Sequence, residues 1–211
     1  ITESIPQYIP VYILHSSSLN SDSISILSSH LSSYGRSATF VDVTSKISFD
    51  LPIQEGSYYS LANYLRLFIA EILPVDVTRA IYLDSDMIAI SSISDLFQHE
   101  CLTPIAAVDQ LSPWQSERMW GDVKVPYFNS GVILVPLQYW RDNLLTSVFV
   151  SIINQHKGAL MCLDQDVLNI AFRNNWSALP LGYNVGGEVI NSSTADWLSE
   201  NVKLVHFSGP D

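Results

Sequence analysis

Two aspartates separated by one residue follow an apolar segment in the middle of the chain, in the run Ile81-Tyr82-Leu83-Asp84-Ser85-Asp86. In an extended chain the side chains of residues i and i+2 point to the same side, so both carboxylates should face one point. Carboxylate oxygens suit Mg²⁺ or Mn²⁺, and ligands of open α/β sheets bind where strands end. The spacing of Asp84 and Asp86 therefore indicates a divalent-cation site, although an aspartate after a strand also commonly begins a turn.

Three more polar motifs lie beside apolar segments further along the chain. They are Asn129-Ser130-Gly131, Asp164-Gln165 at the start of a helical pattern, and His206 in a short apolar segment. Amide and carboxylate side chains form directional hydrogen bonds with hydroxyl groups, and a histidine nitrogen can bind a metal ion. Each residue also has a purely structural interpretation: Asn129 as a turn residue, Asp164 as a helix N-cap and His206 as a packed side chain.

The elements that must position these residues follow from the hydrophobic pattern. Short apolar, β-branched segments predict strands over residues 8–14, 38–43, 80–83, 105–108, 131–135 and 204–207. Apolar residues at helical spacing predict helices over residues 24–31, 61–72, 146–155 and 164–172. Strands that alternate with helices indicate an α/β fold with a mostly parallel sheet flanked by helices.

The segment 109–126 has no hydrophobic period. It places Pro113, Trp114, Trp120 and Gly121 among polar residues. Long irregular connections often carry binding residues, so this segment is predicted to be an active-site loop.

Composition and charge exclude several classes of protein. The chain has 211 residues, a length that favours one domain, and its 47% hydrophobic residues exclude a disordered chain. Ten basic and 21 acidic residues give a net charge of −11, which repels phosphate backbones and predicts no nucleic-acid partner. No apolar run reaches the ~18 residues of a spanning helix, so the chain itself is expected to be soluble.

The chain resembles glycosyltransferase family 8 in five motifs that follow one another in the family's order. They are Asn63-Tyr64-Leu65-Arg66-Leu67, Asp84-Ser85-Asp86, Asn129-Ser130-Gly131, Asp164-Gln165 and the segment that begins at His206. The family comprises retaining nucleotide-sugar enzymes and includes bacterial lipopolysaccharide galactosyltransferases and glycogenin. The resemblance spans about Asn63 to Gly209. It implies one GT-A-like, Rossmann-related catalytic domain over residues 1–211, lacking the family's first strand–helix unit and the end of its C-terminal motif.

The resemblance also assigns roles to individual residues. Asp84, Asp86 and His206 match the ligands of Mn²⁺, or of Mg²⁺ in its place. Gln165 and Asp164 match the catalytic centre. The residues that match the donor-binding site are Arg66, Asp84, Ser85, Asp86, Asp109, Asn129, Asp164, Gln165 and Gly209.

The implied reaction is metal-dependent transfer of a hexose, with retention, from a nucleotide-diphosphate sugar, expected to be a UDP-hexose. The acceptor is expected to be a glycan or a lipopolysaccharide-type molecule. An amide is a poor nucleophile, so front-side attack is favoured, with Gln165 supplying a dipole and the departing diphosphate taking the acceptor's proton. A bacterial cytoplasmic setting is favoured over the Golgi or secretory route, with membrane contact only through parts outside this chain.

Two other interpretations remain open at the level of sequence. The chain could be a catalytically inactive sugar- or nucleotide-binding fragment. It could also be a haloacid-dehalogenase-like phosphatase, whose DxD motif likewise follows an apolar strand. That motif normally lies on the first strand with Thr or Val two residues beyond its second aspartate, whereas Asp84 is mid-chain and Ile88 holds the corresponding position.

Overall fold

A computed structural model of the chain describes residues 5–6, 8–16, 19–43, 61–156, 158–187 and 200–208. Gly209, expected in the donor-binding site, lies outside these ranges. Within them, no helix combines the length and the apolar character that crossing a bilayer would require.

The described residues form eight strands and seven α-helices. The strands are β1 (Tyr12–His15), β2 (Thr39–Asp42), β3 (Ala80–Leu83), β4 (Met87–Ala89), β5 (Ala106–Asp109), β6 (Phe128–Val135), β7 (Ser177–Ala178) and β8 (Leu204–His206). The α-helices are α1 (Ser21–Ser33), α2 (Leu61–Tyr64), α3 (Ile69–Ile72), α4 (Pro113–Trp120), α5 (Leu137–Asp142), α6 (Leu145–Gln155) and α7 (Leu163–Ala171).

The central sheet has the strand order β3-β6-β5-β7, and β6 is antiparallel to both of its neighbours. Strands β5 and β7 are parallel, β1 pairs with β2 in parallel, and β4 pairs with β8 antiparallel. The α/β class is confirmed, but the sheet is mixed rather than mostly parallel. The alternation of strands and helices does not determine the direction of each strand. After β5 the chain passes through α4 and comes back to the same edge of the sheet, so β6 begins beside the end of β5 and runs antiparallel to it.

Strand β6 is the centre of the core because both of its faces are covered. Ile133 and Val135 pack on one face, in a cluster that includes residues of α5, α6 and α7. Val132 and Leu134 alternate with them and pack on the other face, in a second cluster. Successive side chains of a strand point to opposite faces, so a continuous apolar run suits a strand buried on both sides.

The predicted helix over residues 61–72 is interrupted. A 3₁₀ segment, Leu65–Phe68, separates α2 from α3, and all four of its residues are buried. A 3₁₀ turn within a helix often marks a functional or strained position. The apolar spacing gives no sign of this turn. Arg66, one of its residues, is buried beside apolar neighbours and forms ion pairs with Asp84 and Asp164, which are distant in sequence.

The prediction of a loop over residues 109–126 is wrong for its central part, which forms α4. Pro113 occupies the first turn of this helix, and Gly121 follows it with φ of 65°. Proline at a helix start and glycine in the left-handed conformation after its end are typical signals that outweigh the missing apolar period. Trp114 lies on α4 with 57% of its surface exposed, and Trp120 is the last residue of the helix.

Candidate active site

The predicted site residues converge because three strand ends meet at one edge of the sheet. Strand β3 ends beside β6, where the backbone N–H of Asp84 donates to the carbonyl oxygen of Gly131 at 2.9 Å. Strand β5 ends beside the start of β6, in a register that pairs Asp109 with Phe128. This edge therefore carries the aspartates that follow β3, the end of β5 and the polar start of β6.

The short β4–β8 pair brings the histidine to the two aspartates. Met87 pairs with His206 across these strands, and the backbone N–H of Phe207 donates to the carbonyl oxygen of Asp86 at 3.0 Å. Nε2 of His206 lies 3.2 Å from Oδ1 of Asp86 and 3.7 Å from Oδ2 of Asp84. Two carboxylates and an imidazole nitrogen within 4.8 Å of one another could hold a divalent cation.

The ring of His206 is buried against a glycine. A Cβ atom on Gly131 would lie 2.8 Å from Cε of Met87 and still closer to Cε1 of His206. Side chains do not approach a Cβ atom this closely. Glycine at position 131 therefore makes the space in which the imidazole lies beside the aspartates.

Arg66 lies behind the aspartates as a buried cation. Its Nη2 is 2.8 Å from Oδ1 of Asp84, and its Nε is 2.8 Å from Oδ2 of Asp164. Nη1 donates to the carbonyl oxygen of Ser130 at 2.6 Å, and the guanidinium lies over the ring of Tyr82. Burial alone would lower the pKa of Arg66, but Asp164, Tyr82 and Asp84 raise it above its ordinary value, so the charge is retained.

Asp164 is a buried carboxylate in the first turn of α7. Besides its contact with Arg66, its Oδ2 accepts a hydrogen bond from Oγ of Ser130 at 3.2 Å. Burial raises the pKa of Asp164 to about 6, although Arg66 acts in the opposite direction. The helix begins after Cys162 without a side-chain cap, so the Asp164 carboxylate faces Arg66 instead of capping the helix.

The amide of Gln165 has one orientation. Its Oε1 accepts from the backbone N–H of Ser130 at 3.0 Å, and a backbone N–H can only donate. Nε2 donates to Oε1 of Gln110 at 2.9 Å and to the hydroxyl of Tyr127 at 3.1 Å. With a longer bond of 3.4 Å from Oγ of Ser130 to Oε1, four hydrogen bonds thus hold the amide that is predicted to act on the sugar.

Asp166 supports this amide from inside the protein. It is completely buried and accepts from the Tyr127 hydroxyl at 2.6 Å, so the tyrosine oxygen is left to accept from Gln165. Arg118 of α4 donates to both Asp166 oxygens, at 2.6 and 3.1 Å. Burial and the Asp166 carboxylate raise the pKa of Tyr127, which keeps the hydroxyl protonated.

The remaining predicted residues differ in what they contact. Oδ1 of Asn129 accepts from the backbone N–H of Gly131 at 2.8 Å. Ser85 is exposed between the two aspartates. Asp109 lies at the end of β5, where its carboxylate accepts from the backbone N–H of Leu111 at 2.9 Å. The structure thus places these residues at the same edge of the sheet, with Asp109 engaged in a local turn.

Sequence reasoning missed several residues that hold the site together. Ser130 lies inside the motif Asn129-Ser130-Gly131, and Asp166 directly follows Asp164-Gln165. An acidic residue at a buried helical position is the available signal for Asp166. Asn184, whose Oδ1 lies 2.8 Å from Nδ1 of His206, follows the 3₁₀ segment Leu181–Tyr183 in an irregular stretch. No periodicity or motif marks it.

Known proteins resemble the chain in sequence and in fold. The model described as Glycosyl transferase family 8 matches residues 3–211. The lipopolysaccharide 1,2-glucosyltransferase of Escherichia coli K12 is 30% identical over 164 residues, which cover 72% of this chain and 48% of that protein. Glycosyltransferase GlyB of Streptococcus pneumoniae serotype 4 is 35% identical over 136 residues, or 64% of this chain and 30% of that protein.

Among solved structures, galactosyltransferase LgtC in complex with donor and acceptor sugar analogues has a TM-score of 0.76 with this chain at 21% identity. The match covers 96% of this chain and 77% of LgtC, and it confirms the GT-A-like fold. The chain spans less than half the length of the two sequence relatives, whose names support a role in glycosyl transfer. With the family model covering residues 3–211, the chain belongs to glycosyltransferase family 8.

Proposed function

We propose that the chain is the catalytic domain of a metal-dependent, retaining hexosyltransferase that uses a nucleotide-diphosphate sugar, with UDP-hexose as the expected donor. The observation that carries this proposal is the cluster of Asp84, Asp86 and His206 beside the buried cation Arg66. Membership of family 8 favours this function over that of a haloacid-dehalogenase-like phosphatase.

The metal-binding role belongs to Asp84, Asp86 and His206. The donor set of carboxylate oxygens and one imidazole nitrogen fits Mn²⁺ or Mg²⁺. When bound, either ion supplies Lewis-acid stabilisation of the leaving diphosphate. Arg66 keeps the Asp84 carboxylate in place through its 2.8 Å ion pair and adds positive charge behind it.

The sugar-binding role belongs to Asn129, Asp164 and Gln165, at the start of β6 and of α7. Their amide and carboxylate groups can meet sugar hydroxyls in defined directions. Asp109, Ser85 and Gly209 complete the proposed donor site. Gln165 is a partly exposed residue whose carbonyl oxygen is fixed by Ser130, and this oxygen would face positive charge that develops on the sugar.

In the proposed reaction the acceptor hydroxyl oxygen bonds to the anomeric carbon on the face from which the diphosphate departs. The bond from that carbon to the diphosphate oxygen breaks, and its electron pair stays with the diphosphate. The hydroxyl proton passes to a diphosphate oxygen. A glycan or lipopolysaccharide-type acceptor is part of the proposal, supported by the name of the Escherichia coli relative. A bacterial cytoplasmic location is proposed with it.

The test is release of nucleoside diphosphate from a panel of nucleotide sugars, with Mn²⁺ and with a chelator in its place. Turnover of at least one donor that requires the ion and is lost in Asp84→Asn supports the proposal. Asp76→Asn is the matched control, because Asp76 is exposed and precedes β3 at the opposite end of the strand. Donor binding without turnover would instead favour the inactive sugar-binding alternative.

A further inference from the structure

A chain of hydrogen bonds runs from a backbone N–H of β6 to His206. It begins where the backbone N–H of Gly131 donates to Oδ1 of Asn129 at 2.8 Å. Because a backbone N–H cannot accept, this bond identifies the Asn129 atom as the carbonyl oxygen. The same oxygen is 2.7 Å from Asn184, so the Asn184 atom facing it is the donor Nδ2.

The orientation of Asn184 then determines the tautomer of His206. With Nδ2 turned to Asn129, Oδ1 of Asn184 faces Nδ1 of His206 at 2.8 Å. An amide oxygen only accepts, so Nδ1 of a neutral imidazole must carry the hydrogen. Nε2 is left with its lone pair, and Nε2 is the atom that lies 3.2 Å from Asp86.

The backbone holds Asn184 in this place. The backbone N–H of the next residue, Val185, donates to the carbonyl oxygen of Leu204 at 3.0 Å, and the backbone N–H of His206 donates to that of Val185 at 2.9 Å. Asn184 and His206 are both buried. A buried amide in direct contact with a buried imidazole is shielded from competing water.

We propose that Asn184 is a positioning residue that prepares His206 for metal binding and Asn129 for sugar binding. It keeps the lone pair of His206 Nε2 directed at the aspartates. It also occupies the Asn129 oxygen, which leaves Nδ2 of Asn129, for which the described residues supply no acceptor, to donate to a ligand. The inference rests on the proposed metal-dependent function and adds to it a residue outside every recognised motif.

Two substitutions of similar size separate these two roles. Asn184→Leu removes both hydrogen bonds, whereas Asn184→Asp keeps an oxygen for His206 but loses the N–H that faces Asn129. Loss of a residue that orients a metal ligand typically weakens metal affinity about 10–100-fold. We therefore expect this loss of Mn²⁺ affinity in Asn184→Leu, while Asn184→Asp retains Mn²⁺ affinity and loses affinity for the donor sugar.

The experiment has two parts. Ring ¹⁵N NMR of the metal-free wild type identifies the tautomer of His206, and electron paramagnetic resonance monitors Mn²⁺ titrations of the wild type and both variants. Thermal unfolding of each variant shows whether it is folded. Hydrogen on Nδ1 of neutral His206, with the loss of affinity confined to Asn184→Leu, supports the inference. Hydrogen on Nε2, or equal Mn²⁺ affinity of Asn184→Leu and wild type, overturns it.

Failure of the proposed function would look different. If the wild-type chain binds no Mn²⁺ at all, the metal-dependent function is wrong and the role of Asn184 in metal binding goes with it. The NMR measurement needs neither metal nor donor, so it decides independently whether Asn184 sets the His206 tautomer. If Asn184→Leu does not fold, the wild-type tautomer still decides between the two outcomes.

Discussion

The Nε atom of Arg66 lies 2.8 Å from Oδ2 of Asp164, with side-chain exposures of only 6% and 5%. The contact lies outside hydrogen-bond geometry, so it is an attraction between two buried charges. Asp84 forms a second ion pair with the same guanidinium. One cation therefore compensates two carboxylates. Burial, with the negative charge of Asp84 added to it, keeps the pKa of Asp164 raised although Arg66 acts in the opposite direction.

The first prediction concerns the pH dependence of stability. Burial raises the pKa of Asp164 from 3.8 to about 6, against the opposing effect of Arg66. The folded chain therefore binds this proton more tightly than the unfolded chain. The resulting stabilisation is complete below pH ~4 and is lost as the pH rises through about 6. The difference between the two pKa values corresponds to about 3 kcal/mol in the free energy of unfolding.

Urea unfolding of wild type and Asp164→Asn between pH 4 and 7 measures this contribution. The free energy of unfolding of wild type should fall relative to that of the variant across this range. The other groups whose charge acts near Asp164 are Asp84, Tyr64 and Tyr82. They are present in both proteins, so the comparison isolates Asp164. A difference that stays constant with pH would show that Asp164 is already ionised at pH 4.

The second prediction concerns the cost of removing the buried cation. Arg66→Met leaves the buried carboxylate of Asp164 and the partly buried carboxylate of Asp84 without their partner, and breaking a buried ion pair costs about 3–5 kcal/mol. The double variant Arg66→Met/Asp164→Leu should be less destabilised than the sum of the two single variants, because the uncompensated charge is removed. Denaturant unfolding of the four proteins checks this. Additive losses would mean that the two side chains are not energetically coupled.

The third prediction separates turnover from donor affinity at Gln165. Gln165→Ala should lower kcat roughly 100-fold, the cost of losing a preorganised dipole, with little change in donor affinity. Tyr127→Phe should lower kcat by a smaller factor, because it removes only one of the four hydrogen bonds that orient the amide. Gln138→Ala is the control, because Gln138 is an exposed glutamine outside the candidate site. Weakened donor binding with unchanged kcat would make Gln165 a simple sugar contact.

The fourth prediction uses the space beside His206. The added methyl of Gly131→Ala must displace both the imidazole and the end of the Met87 side chain, which costs about 1–3 kcal/mol and weakens Mn²⁺ binding. Gly187→Ala is a matched control, since a Cβ there meets nothing within 4 Å. Calorimetric Mn²⁺ titration of both variants measures the effect. Equal affinities would show that the ring can move without loss of the site.

Much of the fold could be predicted because its main elements carry strong hydrophobic patterns. The strands near residues 80, 106 and 132 and the helices α6 and α7 are present where the pattern predicts them. The two- and three-residue strands β7 and β4 are too short to show a period. The direction of β6 depends on where α4 returns the chain, and that is a tertiary property.

The candidate site could be predicted only as far as its motifs. Strand ends and DxD spacing bring Asp84 and Asp86 together, and the family resemblance adds His206. Residues that orient the motif side chains reach them through hydrogen bonds between distant parts of the chain, as with Arg118 and Asp166, 48 residues apart. Such a pairing leaves no local signal, and the same is true of Asn184.

The most direct test of the proposed metal site is the anomalous diffraction of Mn²⁺ in crystals of the chain grown with the ion. We expect one strong peak about 2.0–2.2 Å from a carboxylate oxygen of Asp84, one of Asp86 and Nε2 of His206. The peak should vanish in Asp86→Asn crystals. A peak elsewhere on the chain, or one at this site without His206 as a ligand, would contradict the three-ligand site.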